Sequence, residues 1–223
     1  MAYILNIETS TTNCSVALSK DGDVYHIKED NSAHYSHAER LHVYIDEVLK
    51  CAEIRHKDLN AIAVSQGPGS YTGLRIGVSA AKGLCFALGI PLIAISTLQS
   101  LAHKVRAQNG YIIPMLDARR MEVYAAVFDC NFNSIKETSA NILEQNSFSE
   151  FLEFNPVYFV GNATEKTKTV ITHPNSIFLT ELPSAQQMCR LSFNKFQSKD
   201  FEDLAYFEPF YLKDFIAIPS RKH

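Results

Sequence analysis

Apolar residues along this chain follow two spacings, and the switches between them divide it into two similar halves. Tyr3 to Glu8 is largely apolar and Cys14 to Ser19 alternates. Val24 to Lys28 follows Asp21-Gly22, a dipeptide suited to a hairpin. The spacing then becomes helical: Leu41, Tyr44, Ile45, Val48, Leu49 and Ala52 form one stripe. Ser36 opens it with Glu39 three residues on, the pattern of a capping box. Strands are predicted over Ala61 to Ser65 and Pro91 to Ile95, with helices over Gly73 to Leu88 and Thr97 to Ala107.

After Asn109-Gly110 the order starts again. Tyr111 to Asp117, Met121 to Phe128 and Ser134 to Thr138 are predicted strands, followed by a short helix over Phe148 to Phe154. Strand Val157 to Val160, helix Thr164 to Ile171, strand Ile177 to Leu179 and helix Ala185 to Phe196 complete the second unit. Leu5-Asn6-Ile7-Glu8 corresponds to Pro114-Met115-Leu116-Asp117, each ending in an acid before a polar turn. The repeat predicts an α/β chain of two ribonuclease-H-like domains, the actin/Hsp70/sugar-kinase (ASKHA) plan. Each domain reads βββαβαβα around a mixed sheet, and the second is the smaller. The boundary is placed between residues 107 and 108, with the stretch from Pro209 onward expected to pack back on the first domain.

Composition narrows the function classes. With 223 residues and 46% hydrophobic content the chain can bury proper cores, and its net charge of −3 provides no global field for nucleic acid. No apolar run is long enough to span a membrane, and no basic region precedes a hydrophobic stretch at the N-terminus. A cytoplasmic protein is expected. Its five cysteines are odd in number and widely spaced, which reads as buried thiols rather than a disulfide framework or a metal site.

Five of the nine glycines fall between Gln66 and Gly83. Gly67-Pro68-Gly69 sits where a strand must turn sharply. Gly73 and Gly77, continued by Ala81, make a ridge of small residues at four-residue spacing, suited to close packing. The loop lacks the Gly-Lys-Ser/Thr ending of a phosphate-binding loop, and Thr72 stands where a dinucleotide fingerprint needs its third glycine.

In the ASKHA plan ATP binds between the halves, and Glu8 and Asp117 occupy the positions that hold a phosphate-bound metal. Thr9 to Thr12 follows the first acid, and Ala118-Arg119-Arg120 the second, so neither turn has the glycine that lets backbone amides approach phosphate. Val160-Gly161-Asn162-Ala163 carries one glycine where the plan uses a pair. The expectation is a degenerate site with no cofactor and no catalytic residue. His37 and His42 lie about 140° apart around a helix, and His34 precedes its cap, so the cluster does not read as a metal site. Ser70 lies one place late for a nucleophile elbow.

Several motifs, in order, carry a resemblance: ILNIETSTTNCSVAL, SHAERLHVYIDEVL, SQGPGSYTGLRIGVSAAKGLCFALGIPLIAISTLQSLA, MLDARRMEVYAAVFD and PFYLKD. The chain resembles the TsaB (YeaZ) family, with looser similarity between Asn131 and Phe201. The resemblance implies a non-catalytic subunit that works with TsaD, the threonylcarbamoyl transferase acting on the adenosine beside the tRNA anticodon, and with the small ATPase TsaE. It implies pairing with TsaD through the N-terminal domain, and contact with tRNA only within the complex. Leu41, Tyr44, Ile45 and Val48, with Gly73, Leu74, Gly77, Val78, Ala81 and Leu84, are the expected partner surface, meeting two partner helices in a four-helix bundle. Gly77→Leu is expected on this reading to weaken association without unfolding the chain. Without the partner the same surface is expected to self-associate. An ATP-dependent kinase of the same fold, a glycoprotease-type metallopeptidase and a stand-alone tRNA binder are the competing classes. Arg119, Arg120, Arg106 and Lys104 are the cations expected to contribute locally to a composite tRNA path.

Overall fold

The computed structural model describes residues 1–30 and 37–213; Ser36 and His34 lie outside the described residues. Strands β1 (Tyr3–Glu8), β2 (Cys14–Lys20), β3 (Asp23–Asp30), β4 (Ala61–Gly67) and β5 (Leu92–Ser96) form one sheet, ordered β3-β2-β1-β4-β5. The first three pair antiparallel, and β4 and β5 add in parallel. Strands β6 (Tyr111–Asp117), β7 (Glu122–Asp129), β8 (Ser134–Ile142), β9 (Val157–Val160) and β10 (Ser176–Leu179) repeat that order as β8-β7-β6-β9-β10. The repeat in pattern is therefore a repeat in topology, as the two-domain α/β reading requires.

Helices α1 (His37–Cys51) and α2 (Tyr71–Leu88) cover one face of the first sheet. Strand β1 is buried on both faces. Leu5 and Ile7 join the cluster under these helices, while Ile4 joins a second cluster on the opposite face. That opposite face is covered by α6 (Ala185–Ser198) through Ala185, Met188 and Cys189. The last helix of the second half thus lies on the sheet of the first. Helix α3 (Thr97–Ala102) makes the reverse exchange, with Leu98 and Leu101 packed against Ile112, Leu116 and Val160 of the second sheet. Helices α4 (Ser149–Leu152) and α5 (Thr164–Lys168) complete the second half. Helix α3 ends well before Ala107 because the chain tightens there, Lys104 N donating to Leu101 O and Val105 N to Ala102 O.

A buried polar knot fixes α6. Ser192 Oγ donates to Asn6 Oδ1 at 2.7 Å, and Asn6 Nδ2 donates to Ile4 O at 3.1 Å and Ser19 Oγ at 3.3 Å, all four residues fully buried. Ser192→Ala strands the amide oxygen without that donor, a loss of about 1–3 kcal/mol. The variant is expected to melt several degrees below the parent; equal melting would mean that the knot contributes nothing.

Beyond α6 the chain runs back across the first half as a strap. Glu202 bridges Leu92, Leu204 and Phe207 pack against the cluster under α1 and α2, and Phe210 N donates to Gln66 O at 2.7 Å. Lys82 Nζ clamps it from α2 through Ala205 O and Phe207 O. Among the described residues no helix is long and apolar enough to cross a membrane.

Candidate functional site

The two acids that mark the ends of β1 and β6 differ in environment. Glu8 is completely buried; its Oε1 accepts from Ser10 N at 2.6 Å and Ser65 Oγ at 2.9 Å, while Oε2 has no partner among the described residues. Burial raises the pKa of this carboxyl, and the hydrogen bonds from Ser10 and Ser65 only partly oppose the shift. The glycine loop closes over the turn that follows. Ser70 N donates to Ser10 O at 2.7 Å, and Thr9 Oγ1 donates to Gly73 O at 2.8 Å. A Cβ on Gly73 would lie 2.1 Å from Thr9 O, and one on Gly77 2.3 Å from Thr9 Oγ1. The small ridge of α2 is thus the seat for the chain's own Thr9 turn.

Asp117 is exposed but already has its cation. Lys166 from α5 places its ammonium on Asp117 Oδ1, on Arg120 O at 2.9 Å and on Glu122 O at 2.5 Å. Arg119 N donates to the same carboxylate at 3.0 Å. A nucleotide-bound metal therefore does not fit these residues, since one acid is sealed from solvent and the other is neutralised by a lysine.

The pKa of Glu8 has a consequence for stability. The folded chain holds the Glu8 proton more tightly than the unfolded chain does. The stabilising contribution is therefore present below the ordinary value of 4.5 and is lost as pH rises through the raised folded value. Glu8→Gln is expected to raise the melting temperature near neutral pH, with the gain vanishing in acid. A loss of stability that does not vary with pH would show that the carboxylate's hydrogen bonds outweigh its burial.

Other candidate chemistry is absent from these surroundings. His37 is buried with Nε2 at 2.6 Å from Thr11 O, whereas His42 is exposed on the far side of α1, and no described group of three His, Cys, Asp or Glu side chains suits a metal. Burial pushes the thiols of Cys14 to about 11 and of Cys85 and Cys189 to about 12, unlike a nucleophile.

The accessible feature is the outward side of α2. An open groove of about 730 Å³ runs along it, lined by Ile76, Ser79, Ala80, Gly83 and Leu84, with His42 from α1. Phe86 of α2 is 83% exposed and Val43 of α1 is 51% exposed. A Cβ on Gly83 would meet nothing within 4 Å, so no packing among the described residues requires glycine there. At one end of the groove the Arg75 guanidinium lies 4.1 Å over the Tyr71 ring and donates to Tyr211 Oη at 3.2 Å, tying the strap to α2.

Comparison with known proteins gives this geometry a family. The family model for TsaD, tRNA N6-adenosine threonylcarbamoyltransferase, matches residues 30–218. The tRNA threonylcarbamoyladenosine biosynthesis protein TsaB of Escherichia coli (strain K12) is 28% identical over 228 residues, 96% of each chain. The Bacillus subtilis (strain 168) protein of the same name is 33% identical over 179 residues, 75% of this chain and 74% of its own. The chain belongs to the TsaB family. The solved structure of YeaZ from Pseudomonas aeruginosa superposes with a TM-score of 0.83 at 25% identity, covering 95% of this chain and all of that one.

For this member of the TsaB family, the surface expected from sequence needs correction. Leu41, Ile45 and Val48 of α1, and Gly73, Leu74, Gly77, Val78 and Ala81 of α2, are buried in the chain's own core. Only Tyr44 and Leu84 of that set are partly open. The exposed residues Val43, Gly83 and Phe86 escaped sequence reasoning. One signal pointed to the two on α2: in eighteen residues that helix carries only two charges, Arg75 and Lys82. A helix apolar around most of its circumference has two faces to cover, and only one sheet is available.

Proposed function

We propose that this TsaB-family chain is a non-catalytic subunit of a tRNA threonylcarbamoyl transferase complex. Its α1 and α2 dock side by side on a TsaD-type partner, and a TsaE-type ATPase joins the pair. The complex transfers the threonylcarbamoyl group to the adenosine beside the anticodon, in the cytoplasm, with tRNA engaged only by the assembly. The observation that carries the docking role is Gly83, a glycine on the outward side of α2 with nothing among the described residues above it. Such a residue costs about 1 kcal/mol relative to alanine, and it repays that cost when another helix approaches closely. Phe86 and Val43 add exposed apolar area on the two docking helices. When the partner is missing, the same face is expected to pair with a second copy.

The kinase reading requires a carboxylate that reaches hydrated metal and phosphate, and Glu8 is sealed. The test of the docking role is assembly. Mixed with its TsaD-type partner, the chain is expected to co-elute from a sizing column as one complex. Separate elution at micromolar concentration would refute the proposal.

A further inference from the structure

The β6–β7 hairpin carries an arrangement that docking through α2 does not use. Its tip reads Ala118-Arg119-Arg120-Met121, and both arginines adopt left-handed backbone, with φ of 68° and 48°. Left-handed backbone favours Gly and Asn over a bulky side chain, and Glu122 N closes the turn on Arg119 O at 3.2 Å. Arginine is disfavoured in this backbone conformation at both positions, so the local turn is better served by other residues.

The turn is braced from beneath rather than by the arginine side chains. Ala118 N donates to Glu122 O at 3.0 Å, Arg119 N to Asp117 Oδ1, and Lys166 Nζ to Asp117, Arg120 O and Glu122 O. Charges around the tip balance in a telling way. Asp117 is paired with Lys166, and Glu122 with Lys213 of the strap. Each acid thus has its own lysine, and neither Arg119 nor Arg120 has a carboxylate partner among the described residues. Two exposed guanidiniums are left in surplus on a chain whose net charge is −3. Met121, 39% exposed, adds an apolar side chain next to them.

We infer that the Arg119-Arg120 tip binds a phosphodiester backbone, that of the RNA substrate. The inference rests on the proposed function and names a contact within it. Guanidinium forks match phosphate oxygens in paired hydrogen bonds, and the exposed thioether of Met121 offers a base an apolar contact. The strap joins the tip to the docking groove, because Tyr211 contacts Arg75 and Lys213 contacts Glu122. RNA held at the tip therefore runs beside the docked partner. A chain of negative net charge with one basic tip binds RNA weakly alone, so the contact acts inside the assembly.

The test is the double variant Arg119→Asn with Arg120→Gly, which suits the turn better and removes both charges. The variant is expected to melt no lower than the parent and to assemble with the TsaD-type partner as the parent does. Affinity of the assembled complex for an unmodified tRNA transcript is expected to fall about tenfold or more at ~0.1 M salt. The slope of log affinity against log salt is expected to shrink by about one to two. In the transfer assay the tRNA KM rises with kcat retained. Unchanged tRNA affinity in a normally assembled complex would overturn the inference and leave the docking proposal standing. Lost assembly with normal RNA binding by the remaining complex would overturn it too, assigning the tip to a protein contact. If the parent chain itself does not assemble, the docking proposal fails and the inference fails with it.

Discussion

Gly77→Leu is expected to destabilise the isolated chain by more than about 4 kcal/mol, or to prevent folded protein from accumulating. Even the first atom of the new side chain lies 2.3 Å from Thr9 Oγ1. Thr9 cannot retreat. It is fully buried, it directly follows Glu8 at the end of β1, and its hydroxyl is bonded to Gly73 O. In a protein of this size such a loss lowers the melting temperature by roughly 10 °C or more, measurable by calorimetry or circular dichroism. This reverses the expectation from sequence, in which the ridge faced a partner and the variant stayed folded. A melting temperature within 2 °C of the parent, taking ~2–4 °C per kcal/mol, would contradict the packing described for α2.

The opposite behaviour is expected on the outer side of the same helix. Phe86→Glu together with Gly83→Arg is expected to leave the isolated chain folded and to weaken association with the TsaD-type partner at least a hundredfold. Gly83 has open space over its Cβ and Phe86 is 83% exposed, so neither substitution disturbs the core. At the interface they introduce a bulky cation where a helix must come close and bury a carboxylate in an apolar patch. A hundredfold loss corresponds to about 2.7 kcal/mol, within the range of single interface hot spots. Gly83→Ala alone supplies a finer test. It is expected to stabilise the isolated chain by about 0.5–1 kcal/mol while weakening the complex. Titration calorimetry or sizing chromatography reads the association, and unchanged affinity in the double variant would place the partner elsewhere.

Much of the fold was legible in the pattern of residues. The bounds of β1, β6 and β9 match their apolar runs, and the repeated element order becomes two sheets of identical strand order. These features are local, or follow from local ones by the short connections. The partnership between helices and sheets was not local. That α6 covers the first sheet and α3 the second depends on contacts between distant residues, such as Ser192 with Asn6, which no periodicity encodes. The candidate site was legible to a similar depth. Spacing singled out α1 and α2 as the expected docking helices and Glu8 and Asp117 as equivalent acids. It did not say which apolar side of α2 the sheet would cover. Glu8 and Asp117 look alike as letters, yet one is sealed beneath the glycine loop and the other carries Lys166. Burial is a property of the assembled fold, and it separates these two acids.

The most direct measurement is threonylcarbamoyl transfer to tRNA by three samples: this chain alone, the TsaD-type partner alone, and both together with the TsaE-type ATPase, with ATP hydrolysis followed in parallel. The chain alone is expected to transfer nothing and hydrolyse nothing, and transfer by the partner is expected to depend on its addition. Turnover of ATP, or transfer of the group, by this chain by itself would contradict the account.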